Sequence, residues 1–166
     1  DMTRFSEGRF SVNKEFEAVD DIVNQTLTHV AFLSASGRLH VFVPEDIIIV
    51  PVEGKLIVQV LVNLLDNAYK HAGEDAQIYF KAYSDDNSAI FEISDNGVGI
   101  DPSIISNIFD GFVTLHKNNI VDANLGVGLG LTICKEIVTA HKGTISAKNS
   151  DTGGAVFKVV LPLEVD

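Results

Sequence analysis

The chain has 166 residues, 46% of them hydrophobic and 21% charged, which excludes global disorder and is enough for one domain with a sizeable core. Twelve basic against 23 acidic residues leave a formal charge of 12 − 23 = −11 without any Lys/Arg run, so the footprint for a nucleic acid is missing, although backbone groups can still hold one small anion. A single cysteine, Cys134, excludes an intramolecular disulfide and fits a reducing compartment, and no apolar run approaches the roughly 18 residues of a membrane span.

In chain order, residues 1–10 are polar and glycine-broken, like the tail of an element cut from its body. Residues 11–18 alternate as a strand. From 20 to 35, Ile22, Val23, Leu27, Val30, Ala31 and Leu33 recur at helical spacing, and Ser36-Gly37 stops that helix. Asp20 and Asp21 at its start are expected to act as caps rather than as a metal site. Strands over 39–43 and 46–50 are split by Pro44, and Pro51 is expected to open a helix that ends at Gly73. Strands over 77–84 and 89–95 flank Asp85-Asp86-Asn87-Ser88 as a hairpin.

A short helix near 102–108 leads into a polar segment, 113–125, and a helix over about 127–142 is broken by Gly143. Strands at 144–149 and 155–161 form a last hairpin around 151–154. This order predicts an α/β (α+β) sandwich: a mixed, mostly antiparallel sheet covered on one face by helices. Cys134 and His141 are expected to be structural, the first as a small core residue and the second as a polar group near a helix C-terminus, where positive charge is mildly favoured.

The 51–73 helix carries two asparagines four residues apart, although asparagine is a poor helix former. At about 100° per residue, Asn63, Asn67, Lys70 and His71 share a sector of about 100°, opposite Ile57, Leu61, Leu64, Leu65, Ala68 and Ala72. Amide oxygens are hard ligands suited to Mg²⁺, and a lysine beside them suits phosphate; the alternative is a solvated face.

Asp95-Asn-Gly-Val-Gly-Ile100 follows a strand. Its two glycines let the backbone approach a ligand, and a strand-end carboxylate can accept from an exocyclic amine, although such a stretch also makes ordinary turns. Gly126-Val-Gly-Leu-Gly130 precedes a helix, where amides can converge on an anion. Its spacing matches neither the dinucleotide fingerprint nor the P-loop. Phe109-Asp-Gly-Phe112 either pins the base of a lid or packs into the core.

In this order and at these intervals the four elements resemble the N, G1, F and G2 boxes of the ATP-binding domain of sensor histidine kinases, at 63–72, 95–100, 109–112 and 126–131. The resemblance runs over about 11–163 and implies the Bergerat (GHKL) sandwich. It implies Mg²⁺ on Asn67, with Asn63 and Lys70 beside the ATP phosphates as the rest of the catalytic set and His71 nearby. Asp95 would read the adenine amino group in a pocket shaped by Gly97, Gly99 and Ile100. Gly126, Gly128 and Gly130, with Val127, Leu129 and Leu131 between and after them, would form the lid hinge and give amides to the phosphates.

By the same resemblance Phe112 would belong to the nucleotide site, and Lys117 stands where the family has an arginine or two. Within the family, VPVEGKLIVQVLVNLLDNAYKHA and GVGLGLTICKEIVTAHKGTISA most resemble the potassium-sensing kinases. Residues 1–10 would be the tail of the dimerisation helix and 11–166 the catalytic domain, in the cytoplasmic part of a membrane-anchored receptor. The partners implied are ATP, the phosphoacceptor helical domain and a response-regulator receiver domain, with no nucleic acid and no membrane contact by this fragment. None of the five histidines is followed by the acidic residue expected at a phosphoacceptor. The family's ATPases carry a glutamate at the position of Asn63, where it activates water. A GHKL ATPase and an anti-sigma serine kinase are the alternatives.

Overall fold

A computed structural model describes residues 11–110 and 125–164, with side chains in the 125–140 helix from residue 130 onward. Residues 1–10 and most of 113–125, read above as a helix tail and a polar segment, lie outside the described residues, as do Phe112 and Lys117. The elements are β1 (Glu15–Ala18), α1 (Val19–His29), α2 (Ala31–Ala35), β2 (Leu39–Phe42), β3 (Ile49–Val52), α3 (Gly54–His71), β4 (Ile78–Ser84), β5 (Ser88–Asp95), a 3₁₀ turn at Ile105–Asn107, α4 (Leu125–Ala140), β6 (Thr144–Asn149) and β7 (Ala155–Pro162).

Five strands form one sheet in the order β2-β4-β5-β7-β6, parallel only between β2 and β4. Alternation along β4, β5 and β7 buries Ile78, Phe80 and Ala82, then Phe91 and Ile93, then Phe157, Val159 and Leu161. Register joins them in rows, Phe80–Ile93–Phe157 and Ala82–Phe91–Val159. Against this face lies α3, flanked by α1 and α4 and burying Ile57, Leu61, Leu64, Leu65 and Ala68. Each of these leucine and isoleucine side chains contributes roughly 1.5–3 kcal/mol when fully withdrawn from water. The expected one-sided sandwich is what forms. No helix among the described residues is long and apolar enough to cross a membrane.

Three local expectations are corrected. The 20–35 helix breaks at Val30, whose φ of −118° and ψ of 38° leave the helical region; with the break, Val30 and Leu33 are both fully buried. Pro51 does not open α3 but pairs with Phe16 in a separate two-stranded sheet, β1 with β3. A proline lacking an N–H is tolerated at such an edge, and the helix starts at Gly54. Asp20 and Asp21 make no side-chain cap, since the N-cap is Ala18; they sit in the first turn, where the helix field favours carboxylates.

His141 is structural, as expected, but as a buried group rather than as one that exploits the helix C-terminal field. It is 1% exposed: Nδ1 donates to the Ile137 carbonyl at 2.8 Å, and Nε2 accepts the Glu53 N–H at 3.0 Å. The ring thereby joins the end of α4 to the start of α3 as a neutral imidazole. Burial, with Lys14 adding to it, lowers its pKa against the opposing pull of the Ile137 carbonyl and Glu53. A histidine whose folded pKa lies below the unfolded value of about 6.5 binds fewer protons when folded. Its stabilisation is therefore complete above that value and declines as pH falls through it. Melting temperatures from about pH 8 to about pH 5 should fall on acidification. The fall should be shallower in His141→Gln, whose amide oxygen can still accept the Glu53 N–H. His71, lowered in the same direction, supplies the residual slope, and identical slopes in the two proteins would assign all of it elsewhere.

Candidate nucleotide site

The β5 alternation that buries Phe91 and Ile93 carries Asp95 to the same helix-facing side at the strand's end, where it is 9% exposed. Its Oδ1 accepts the Gly97 N–H at 2.9 Å and the Ala155 N–H at 3.3 Å. Its Oδ2 has no hydrogen-bond partner among the described residues. Half of the carboxylate thus holds the turn and half is left for something else.

After Asp95 the chain runs close against the end of α3. The Val98 N–H donates to the Ala72 carbonyl at 3.2 Å, and a Cβ on Gly97 would lie 1.9 Å from that same oxygen. Gly97 is therefore required by close backbone approach, whereas Gly99, at φ 80°, occupies the left-handed region.

Asn67 and His71 line a cavity of about 30 Å³ together with Ala68, Ala72, Asp95, Gly99, Ile100, Ala155 and Phe157. A ligand larger than about one water would enter by displacing side chains at its rim. The Asn67 amide makes no hydrogen bond among the described residues. The His71 pKa is lowered by partial burial and by Lys70, against Asp66, so near neutral pH it presents an uncharged ring. Helical spacing alone predicted that Asn67 and His71 share a face; the sheet brings Asp95 to them.

Asn63, one turn earlier, is partly buried and lines a larger cleft of about 500 Å³ between α1 and α3. Its Nδ2 points at Cys134 Sγ at 3.8 Å, and a Cβ on Gly130 would meet it at 3.8 Å. That contact turns the amide oxygen away from α4. Burial raises the Cys134 thiol to about 12, so it remains protonated and structural, as expected. Lys70 is ion-paired with Asp66 at 3.0 Å on the exposed surface, a pair worth only about 0.3–0.5 kcal/mol and readily exchanged for a stronger anion.

The glycines at 126, 128 and 130 do not precede a helix. They lie within α4, which begins at Leu125, so Gly126, Val127, Gly128 and Leu129 form its first turns, where amides lack intrahelical partners. Leu131 is 2% exposed and packs in the core. Phe109 meets Phe157 edge to face at 6.1 Å, so this aromatic packs beneath the cleft. Among the described residues no group of three His, Cys, Asp or Glu side chains is placed to hold a metal.

Sequence reasoning missed Ala155 and Phe157, which follow from β7 alternation once its register with β5 is known. It also missed Asn149, whose side chain bonds both backbone groups of Ile100. No local signal marks a contact 49 residues apart in sequence.

Residues 53–165 match the family described as histidine kinase-, DNA gyrase B- and HSP90-like ATPase. The sensor protein KdpD of Clostridium acetobutylicum is 43% identical over 164 residues, covering 99% of this chain and 18% of that protein. KdpD of Escherichia coli K12 is 38% identical over 162 residues, covering 98% and 18%. The chain thus spans under a fifth of these relatives' length.

Among solved structures, the catalytic domain of the histidine kinase ThkA superposes with a TM-score of 0.76 at 21% identity, covering 93% of this chain and 99% of that one. ThkA in complex with the response regulator TrrA gives 0.75 at 21%, covering 98% and 46%. At that identity these structures speak for the fold, and the family match and the KdpD relatives carry the rest. The chain belongs to the histidine kinase-, DNA gyrase B- and HSP90-like ATPase family.

Proposed function

We propose that this domain binds Mg·ATP and transfers the γ-phosphoryl group to a histidine on a separate dimerisation domain, from which a response-regulator aspartate takes it. The observation that carries this reading is one cleft holding two groups without a hydrogen-bond partner among the described residues, Asp95 Oδ2 and the Asn67 amide. A carboxylate oxygen at the strand end accepts the adenine amino group. The chemistry of Asn67 fits Mg²⁺, a hard cation that favours oxygen ligands and that, when bound, neutralises phosphate charge. Asn63 and Lys70 lie one turn to either side along α3, Lys70 exchanging Asp66 for phosphate, while His71 stands uncharged beside them. Amides in the first turns of α4, from Gly126 to Gly130, face the same anion.

The acceptor imidazole nitrogen bonds to the γ-phosphorus as the bond to the β–γ bridging oxygen breaks and ADP leaves. Such transfer depends chiefly on alignment and charge neutralisation. Hydrolysis by this domain should be slow. Asn63 cannot take a proton from water, and Asp66, about 100° from Asn67 around α3, points elsewhere, which weighs against the ATPase alternative. The resemblance to potassium-sensing kinases, with sensor proteins KdpD among the relatives, supports a receptor responsive to potassium; anchoring in a membrane, with this domain on the cytoplasmic side, is part of the same proposal.

Calorimetric titration with ATP, repeated with GTP and without Mg²⁺, tests the reading. Saturable, ATP-selective binding strengthened by Mg²⁺, with negligible turnover, is expected. Steady hydrolysis would move the assignment to the ATPases, and absence of binding would overturn it.

A further inference from the structure

The β6–β7 hairpin, whose β7 lies beside β5 in the sheet, grips the Asp95–Ile100 loop at both ends. At the far end, Asn149 Oδ1 accepts the Ile100 N–H at 2.7 Å while its Nδ2 donates to the Ile100 carbonyl at 2.8 Å. One side chain thus satisfies both backbone groups of a loop residue, as a paired strand would. The same Oδ1 lies 2.7 Å from where a Cβ on Gly99 would stand, so the loop rests directly on Asn149.

At the near end, a Cβ on Gly154 would fall 1.9 Å from the Asp95 carbonyl and 2.8 Å from its Oδ1, to which the Ala155 N–H also donates. The Ser150 N–H bonds the Gly154 carbonyl at 2.9 Å and closes the turn between the two grips. Asn149 does not line the cleft and makes no hydrogen bond to Asn63, Asn67 or Lys70.

We propose that Asn149 is a positioning residue for base recognition. It holds the Gly99–Ile100 wall at a fixed distance from Asp95, so that a planar purine edge meets Oδ2, and it leaves the phosphate-binding groups of α3 untouched. The inference rests on the reading of Asp95 as the base-recognising group. Its signature is a loss of affinity confined to the base.

The experiment titrates the wild-type chain, Asn149→Ala and Asp95→Asn with Mg·ATP and with inorganic triphosphate. Asn149→Ala should weaken ATP about tenfold and leave triphosphate within about twofold, the scale expected when a net hydrogen bond is lost. Triphosphate binding also reports that the variant is folded. Asn149→Asp keeps the acceptor for the Ile100 N–H and loses the donor to its carbonyl, and should fall between the two. Unchanged ATP affinity in Asn149→Ala, or equal losses for both ligands, overturns the inference. If that happens while Asp95→Asn still loses ATP selectively, the base assignment stands and only Asn149 is removed. If Asp95→Asn also leaves ATP unchanged, the base assignment itself falls.

Discussion

Asn67→Ala should abolish the Mg²⁺ enhancement of nucleotide binding while leaving the free protein as stable as before, or slightly more so. The two halves of this expectation come from one observation: among the described residues no protein group uses the Asn67 amide. Removing an unpaired, partly exposed amide breaks no native hydrogen bond, and alanine is the better helix former by about 0.5 kcal/mol. Any loss on substitution therefore belongs to the ligand. An amide oxygen that places a cation against phosphate contributes on the order of a hundredfold, since it acts on a charged group with few other protein ligands. The check is a pair of titrations with ATP, with and without Mg²⁺, alongside a melt of the unliganded variant. Retained Mg²⁺ dependence would remove Asn67 from the cation site, and a markedly lowered melting temperature would show a structural role that the geometry does not contain.

Asp95→Asn should weaken ATP by roughly 30–100-fold, about 2–3 kcal/mol, while costing inorganic triphosphate almost nothing. The substitution is close to isosteric, and Oδ1 can still accept from Gly97 and Ala155, so the turn keeps its shape. At Oδ2, however, an acceptor becomes an NH₂ donor. A ligand amine would then face another donor inside a largely buried site, and an unmet polar pair there costs its full desolvation. The sign should reverse for a base carrying a carbonyl at that position. Inosine triphosphate should lose less than ATP and approach or pass it in the variant. Equal losses for ATP and triphosphate would place Asp95 away from the base. A loss for ATP without any relative gain for inosine triphosphate would limit Asp95 to holding the turn.

These two residues also show how much of the site could be seen in the sequence. Asn67 was legible because helix α3 has a strict period: the apolar positions fix which side is buried, and an asparagine pair on the other side conflicts with helix propensity. Asp95 was legible as the end of an alternating strand followed by two glycines. What the sequence did not contain was their adjacency, which depends on β5 packing against α3 and on Val98 bonding the Ala72 carbonyl.

The segments read less well fail for identifiable reasons. Periodicity ran through Val30 because a bend that buries both Val30 and Leu33 leaves the apolar spacing unchanged. Pro51 reads as a helix start when its strand partner, β1, is unknown. The glycines from 126 to 130 suggest a loop by propensity, yet they lie inside α4.

By itself, then, the sequence determined the fold class, the helix and strand periods, the family, and which residues share the polar face of α3. Each of these follows from local spacing or from motifs in order along the chain. Tertiary structure alone decided that Asn149 and Gly154 hold the Asp95–Ile100 loop, that Cys134 turns the Asn63 amide, and that His141 is a neutral link between two helices. All of these are contacts between residues about 50 to 90 apart in sequence. Their energy comes from pairing polar groups, most at stake where the group is buried, as at Ala155, and that pairing exists only once sheet register and helix packing have brought the partners together.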